Sequence, residues 1–302
     1  MQPVRLRFEQ PFDLVSSLHL HRFGPRDPTF RLGPTEALRG QPTPDGAGAI
    51  RVRRVDPFTF DVEVWGPGGP FLRDRAAAWL GAHDAPETFT PEHPRLRRLG
   101  GRLRGFRLPR APTVFEVLVI VVLQQRVSWR EAARSFRRIV GRHGARFDLG
   151  DGPSLLVMPP AEVWRRMSLD AYRAFDVDGQ RARTLKAVAT SVRRLEEIAA
   201  MPIGEAEARL RAFPGVGPWT AHYVLGLALG HADAVPLDDY DLPRLVSSAL
   251  AGEPRADDAR MLELLEPYRG HRFRVIRWLQ ESGLPTPRFG PRRPGSSFRR
   301  RS

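Results

Sequence analysis

Three hundred and two residues leave room for two domains of roughly 100–200 residues each, and a composition 41% hydrophobic and 27% charged suits buried cores rather than disorder. Cysteine is absent, which excludes disulfide frameworks, thiolate zinc sites, iron–sulfur clusters and cysteine nucleophiles together. The formal charge is +14, from 48 basic and 34 acidic residues, and concentrated positive charge is the footprint of a polyanionic partner.

Arg5, Arg7 and Glu9 interrupt residues 1–12, which do not read as a signal peptide. The longest apolar run, 117–123, falls far short of the roughly 20 residues of a membrane span. An intracellular protein of cytoplasm or nucleoid, with no membrane partner, is expected. Val4, Leu6 and Phe8 alternate with charged residues, the pattern of a half-buried strand. His19 and His21 lie two apart on an expected strand, in an ordinary structural role rather than as a metal site. Residues 33–48 read as loop. Segments 50–55 and 58–65 flank Asp56-Pro57 and predict a hairpin, with Phe58, Phe60, Val62 and Val64 on one face. An alanine-rich helix is predicted over 71–80. Residues 94–110 then carry seven arginines and no acid, either a phosphate-binding surface or a solvated linker.

Beyond residue 109 the pattern is helical, and no strand is expected before about 284. Thr113 with Glu116 and Ser128 with Glu131 each fit a capping box. They predict a buried helix over 115–123 and a second from 128 to about 141, with Gln124, Gln125 and Arg126 exposed at the corner between them. Further helices are expected at 160–172, 179–199, 204–213, 218–229, 242–250, 256–265 and 272–281. The last stretch, 286–302, has six arginines and no acid. The expected fold class is therefore α+β: an N-terminal mixed α/β domain at 1–108, an all-α domain at 109–285, and a basic, disordered tail at 286–302.

Chemistry concentrates after residue 210. A helix ends at Phe213, and Pro214-Gly215-Val216-Gly217 makes a tight turn. The next helix opens with Pro218, at a position where a missing N–H costs nothing. Glycines let the main chain approach another surface closely, and the N–H groups of a helix start suit a phosphate. The same four residues also make an ordinary turn between helices. Trp219 is followed twenty residues later by Asp239, and Asp239 five residues later by Arg244.

This unit resembles the helix–hairpin–helix glycosylase superfamily of DNA base-excision repair and, within it, the DNA-3-methyladenine glycosylase II (AlkA) family. Three features carry the resemblance: the hairpin with Trp219-Thr220-Ala221, the spaced aspartate with Arg244, and the run from Gly105-Phe106-Arg107 through Phe115-Glu116 to Gln124-Gln125-Arg126-Val127-Ser128. It covers roughly 109–284 and implies an all-α helix–hairpin–helix glycosylase domain. The implied activity is excision of alkylated purines of the 3-methyladenine and 7-methylguanine type, after base flipping, from double-stranded DNA with damaged bases. It further implies Asp239 as the catalytic carboxylate and Trp219, Tyr223, Tyr240 and Trp278 as the base pocket. DNA would be held by Pro214, Gly215, Val216, Gly217 and Thr220 at the hairpin, and by Gln124, Gln125 and Arg126 filling the vacated site. Asp238 is the alternative carboxylate, and Asp239 could instead cap the following helix, a task that Asp238 or Asp241 could also take.

Bifunctional members of the superfamily place a lysine nucleophile just after the hairpin. Trp219 stands there, and the one lysine of the chain is Lys186, so a hydrolytic enzyme without lyase activity is expected. No organic cofactor is expected; the resemblance allows a monovalent cation on the hairpin carbonyls. A monomer is expected. Arg126 stands where the family often has an apolar residue, Leu265 where it has tryptophan, and His271-Arg272-Phe273 where it has small and apolar residues. Its pocket tryptophan appears one place late, as Trp278. These departures keep a second reading open, a non-catalytic helix–hairpin–helix protein that binds damaged DNA.

Overall fold

The computed structural model describes residues 3–149 and 154–284. An antiparallel five-stranded sheet, in the order β1-β5-β4-β3-β2, forms the N-terminal part. Its strands are β1 (Val4–Arg7), β2 (Phe30–Leu32), β3 (Glu36–Thr43), β4 (Gly46–Arg54) and β5 (Thr59–Trp65), and α1 (Leu14–Leu18) precedes β2. The expected hairpin is β4–β5, with Val52 opposite Val62 and Ile50 opposite Val64. Helix α2 (Gly69–Trp79) covers it, burying Phe60, Val62, Leu72 and Trp79 together.

Two expectations fail here for related reasons. Residues 33–48 are mostly strand, because two of their glycines accommodate neighbours rather than turns. A Cβ at Gly40 would stand 2.9 Å from the Leu156 carbonyl oxygen, and one at Gly48 would stand 2.8 Å from the Gly68 carbonyl carbon. The neighbour at Gly40 is itself a strand where none was expected. β6 (Ala145–Phe147) and β7 (Leu155–Val157) pair in a small second sheet, and the Leu156 N–H donates to the Pro28 carbonyl at 3.1 Å. Strands of three residues are too short to show alternation. The histidines also differ from expectation: His19–His21 is a turn of 3-10 helix, not strand.

The arginine-rich stretch is structured. Helix α3 (Pro94–Arg102) buries Leu96 and Leu99, while Arg97, Arg98, Arg102 and Arg104 are exposed. Arg107 is buried, donating to the Asp84 carbonyl at 2.9 Å. The basic tail at 286–302 lies outside the described residues.

Helix α4 (Val114–Gln124) is buried almost throughout, but the expected box at its start is absent. Thr113 instead accepts a hydrogen bond from Gln41 Nε2 at 2.8 Å, and Glu116 pairs with Arg39 of β3 at 2.7 Å, both side chains 1% exposed. Burial pushes the Glu116 carboxyl up, and the Arg39 charge opposes the rise. The free N–H groups of Val114 and Phe115 donate to the Glu196 carboxylate at 2.9 and 2.8 Å. The cap is thus supplied from 80 residues away in sequence, by a side chain no local pattern names. At α5 (Trp129–His143) the Ser128–Glu131 box forms as expected.

The expected helix at 160–172 is broken at Met167 into α6 (Ala161–Arg166) and α7 (Leu169–Ala174), the second capped by Ser168. The one at 179–199 becomes α8 (Gly179–Thr190), α9 (Val192–Glu196) and a 3-10 turn. The remaining helices follow expectation: α10 (Ile203–Arg211), α11 (Pro218–Ala228), α12 (Leu242–Leu250), α13 (Asp258–Leu265) and α14 (Arg272–Glu281). Among the described residues no helix is long and apolar enough to cross a membrane.

His21 ties the two parts together. Its Nε2 faces the Leu227 carbonyl of α11 at 2.7 Å, so that nitrogen carries the proton, and its Nδ1 accepts from Trp79 Nε1 at 3.1 Å. Burial, then the nearby Arg39 charge, pushes its pKa down to about 3. Folded His21 therefore stays neutral where unfolded histidine, at about 6.5, takes up a proton. Its contribution is complete above about pH 6.5 and is lost progressively as pH falls toward 3. Denaturant unfolding at pH 7 and pH 5 should show a loss about 2 kcal/mol larger in wild type than in His21→Gln. Equal losses would show that His21 does not titrate this way.

Candidate active site

Two of the helices meet at the Pro214–Gly217 hairpin. Helix α10 ends at Arg211; the Phe213 N–H donates to Leu210, and the Val216 N–H returns to Phe213 at 3.1 Å. The two glycines differ in kind. Gly215 has φ +83°, and a Cβ there would lie 1.9 Å from Thr184 Oγ1 of α8. Gly217 has φ −91° and, with a Cβ, would meet nothing within 4 Å. Only Gly215 is required by the fold. Gly217 is exposed and supplies no side-chain cap to α11, so the first-turn N–H groups are left for an acceptor from outside.

The corner between α4 and α5 is fastened to this hairpin. Gln125 Nε2 donates to the Gly215 carbonyl and to Thr220 Oγ1, both at 2.9 Å. Gln125 is therefore occupied as a brace, which corrects its expected role of filling a vacated site. Gln124 turns back onto its own helix, donating to Ile120 at 3.2 Å. Arg126 differs from both: it is exposed, has φ +58°, and makes no hydrogen bond or ion pair among the described residues.

Two residues after Gly217, Trp219 begins the site proper. Its indole Nε1 donates to Asp239 Oδ2 at 2.7 Å, and the Tyr223 hydroxyl reaches the same oxygen at 3.2 Å. Trp219 and Tyr223, four apart and so on one face of α11, meet edge to face at 4.8 Å between ring centroids. The other oxygen, Oδ1, accepts from the N–H groups of Asp241 and Leu242 at 2.8 and 3.0 Å. Asp239 thus caps α12 with one oxygen and faces the aromatic pair with the other, so the alternatives weighed above are not exclusive. Asp241 makes no cap bond of its own. Asp238 is exposed at φ +62°, its N–H held by Asp258 at 2.7 Å. Burial raises the Tyr223 hydroxyl well above the ordinary phenol range; the Asp239 charge adds to this, while Arg277 and Gln280 oppose it.

Two residues expected in the pocket stand elsewhere. Tyr240 is 67% exposed and carries the Arg244 guanidinium over its ring at 4.1 Å. Arg244 also donates to the Tyr240 carbonyl, so the aspartate–arginine spacing serves to clamp this loop. Trp278 is buried on another side of α14, edge to face with Phe89 at 5.2 Å and against Gly100. Facing Tyr223 instead is Arg277, one place earlier, and the late tryptophan was the signal that could have found it.

The unusual His271-Arg272-Phe273 run is accounted for by packing. His271 lies against Phe89, Arg272 pairs with Asp233, and Phe273 packs on the bare backbone of Gly226 and near Tyr223. Leu265 is a core residue.

A five-stranded sheet joined to a helical bundle, with a glycine hairpin leading into an aromatic-flanked aspartate, defines the helix–hairpin–helix DNA glycosylase fold. It superposes on the 3-methyladenine DNA glycosylase of Archaeoglobus fulgidus with a TM-score of 0.76, at 24% identity, over 91% of this chain and 96% of that one. It also superposes on the Clostridium acetobutylicum 8-oxoguanine glycosylase/lyase bound to DNA, with a TM-score of 0.72 at 15% identity over 94% and 97%. In sequence it is 31% identical over 194 residues to Escherichia coli DNA-3-methyladenine glycosylase 2. The chain belongs to the DNA-3-methyladenine glycosylase II (AlkA) family. The matched segment spans 63% of this chain and 66% of the E. coli relative, just under two thirds of its length. No family model matches the chain.

Proposed function

We propose that the protein is a monofunctional DNA glycosylase that excises alkylated purines from duplex DNA. The observation that carries this is the Asp239 carboxylate, fixed by four donors between the phosphate-sized opening of the hairpin and the Trp219–Tyr223 pair. The N–H groups of the α11 start take a DNA phosphate, and Arg126 enters the space the extruded nucleotide leaves, since the reacting bond is out of reach inside the stack. Cleavage of the N-glycosidic bond builds positive charge on the sugar. Asp239 Oδ2 stabilises that charge at close range. The bonding electrons leave with the base, water supplies a hydroxyl to C1′, and its second proton passes to solvent or base.

Hydrolysis rather than lyase chemistry is supported by the lysine count. Lys186 Nζ donates to the carbonyls of Arg165 and Met167 at 2.6 and 2.7 Å, and Trp219 occupies the place of the superfamily's lysine nucleophile. A monovalent cation on the hairpin fits poorly, because the carbonyls of Phe213 and Gly215 already accept hydrogen bonds from Val216 and Gln125; no step runs through one. The test is incubation with methylated duplex DNA. Free 3-methyladenine or 7-methylguanine should appear, with the strand left whole until alkali is added. Strand scission without alkali, or borohydride trapping of the protein on DNA, would overturn the hydrolytic assignment. Binding without release of either base would leave a binding protein.

A further inference from the structure

Arg277 is the one cation that faces the aromatic side of the candidate site. On α14, Phe273 and Arg277 are four apart and share a face; the Phe273 ring lies 6.5 Å from that of Tyr223, and the Arg277 charge acts on Tyr223. The Arg277 side chain is half-buried, and its Nε is shielded from solvent without a partner. It makes no hydrogen bond or ion pair among the described residues. Its neighbours do not neutralise it: Glu281 is engaged with His19 at 2.7 Å, and His21 is neutral and committed to Leu227 and Trp79. Gln280, which also reaches the Tyr223 hydroxyl, has a shielded Oε1 with no partner. Burial lowers the Arg277 pKa, the mark of a charge held where solvation is poor.

A cation kept partly out of water without a counter-ion costs stability. That cost is recovered when a ligand presents an acceptor. The guanidinium offers donors only, so the ligand edge it accepts is a carbonyl oxygen, and a ligand bearing positive charge at that edge is repelled.

We infer that Arg277 is the specificity-determining residue of the base pocket, donating to a carbonyl oxygen of the extruded base. Bases with such an oxygen, such as hypoxanthine and 7-methylguanine, are favoured over 3-methyladenine, which is cationic in the nucleoside and has no carbonyl. The inference rests on the glycosylase reading above and narrows it.

The test compares release of hypoxanthine from inosine-containing duplex with release of 3-methyladenine from methylated duplex, by wild type, Arg277→Met and Arg277→Lys. Arg277→Met should lower hypoxanthine release at least about 10-fold, the size of one charge-assisted hydrogen bond. Release of 3-methyladenine should stay level or rise, and Arg277→Lys should recover part of the hypoxanthine activity. A purely structural role would slow both bases by one factor, and that result overturns the inference while leaving the glycosylase reading intact. Wild type that releases neither base from DNA it binds overturns both.

Discussion

Replacing Asp239 with asparagine should abolish base release while the protein still binds DNA, with a rate loss of about 10²–10³-fold from removing one charge placed at the developing cation. The substitution is isosteric, but it cannot satisfy every partner at once. All four groups around the carboxylate donate, or in the case of the tyrosine hydroxyl can donate, so the new amide N–H₂ must face a donor whichever way it turns. Turned toward Trp219, it opposes the indole N–H. Turned the other way, it opposes the N–H groups that start α12. A stability loss of about 1–3 kcal/mol should accompany the lost activity, read by denaturant unfolding. Asp238→Asn is the matched control. Its side chain makes no hydrogen bond among the described residues, it is exposed, and asparagine adopts positive φ as readily as aspartate. Activity lost in Asp238→Asn and kept in Asp239→Asn would move the carboxylate to Asp238.

The second large effect is expected at the hairpin, where two glycines should respond in opposite ways. Gly215→Ala places a methyl group in a left-handed backbone position, at a cost of about 1 kcal/mol, and drives it into Thr184 Oγ1. The hairpin or α8 has to shift, so both thermal stability and duplex affinity should fall, affinity by at least about 10-fold. Removing the obstructing oxygen with Thr184→Ala should restore part of the stability but not the strain-free backbone. In Gly217→Ala the fold has room, and the melting temperature should hold within about 0.5 kcal/mol of wild type, the usual range for a surface change. DNA binding should nonetheless weaken, because the methyl stands where a phosphate would approach. Equal melting losses in the two variants would show that Gly217 is also a structural glycine.

The elements around the site were legible because their determinants are local. Pro218 marks the start of α11, the Ser128–Glu131 box starts α5, and Trp219 and Tyr223 share a face by helical spacing alone. What could not be read depended on partners remote in the chain. Glu196 caps α4 from another helix, and that frees Thr113 and Glu116 to reach Gln41 and Arg39, so a local motif was present but used otherwise. Gly40 looked like loop because its missing side chain makes way for a strand more than a hundred residues away. The pocket was misread at Trp278 for a similar reason: residue type suggested the base, whereas the rotation of α14, fixed by Phe273 against Gly226, brings residue 277 to the site. Gln125 had the correct neighbourhood and the wrong task.

That brace from Gln125 to Gly215 and Thr220 has a consequence for how a lesion is located. The hairpin that grips a phosphate and the corner that carries Arg126 move as one piece, and Trp219 lies two residues beyond the grip. The offset along the strand between the held phosphate and the nucleotide offered for extrusion is therefore built into the protein rather than adjusted at each encounter. Sliding by one nucleotide moves every contact together, so the enzyme samples DNA in whole steps, presenting a single sugar at a time to the aspartate. Cutting the brace with Gln125→Ala would loosen that gauge without touching either end of it.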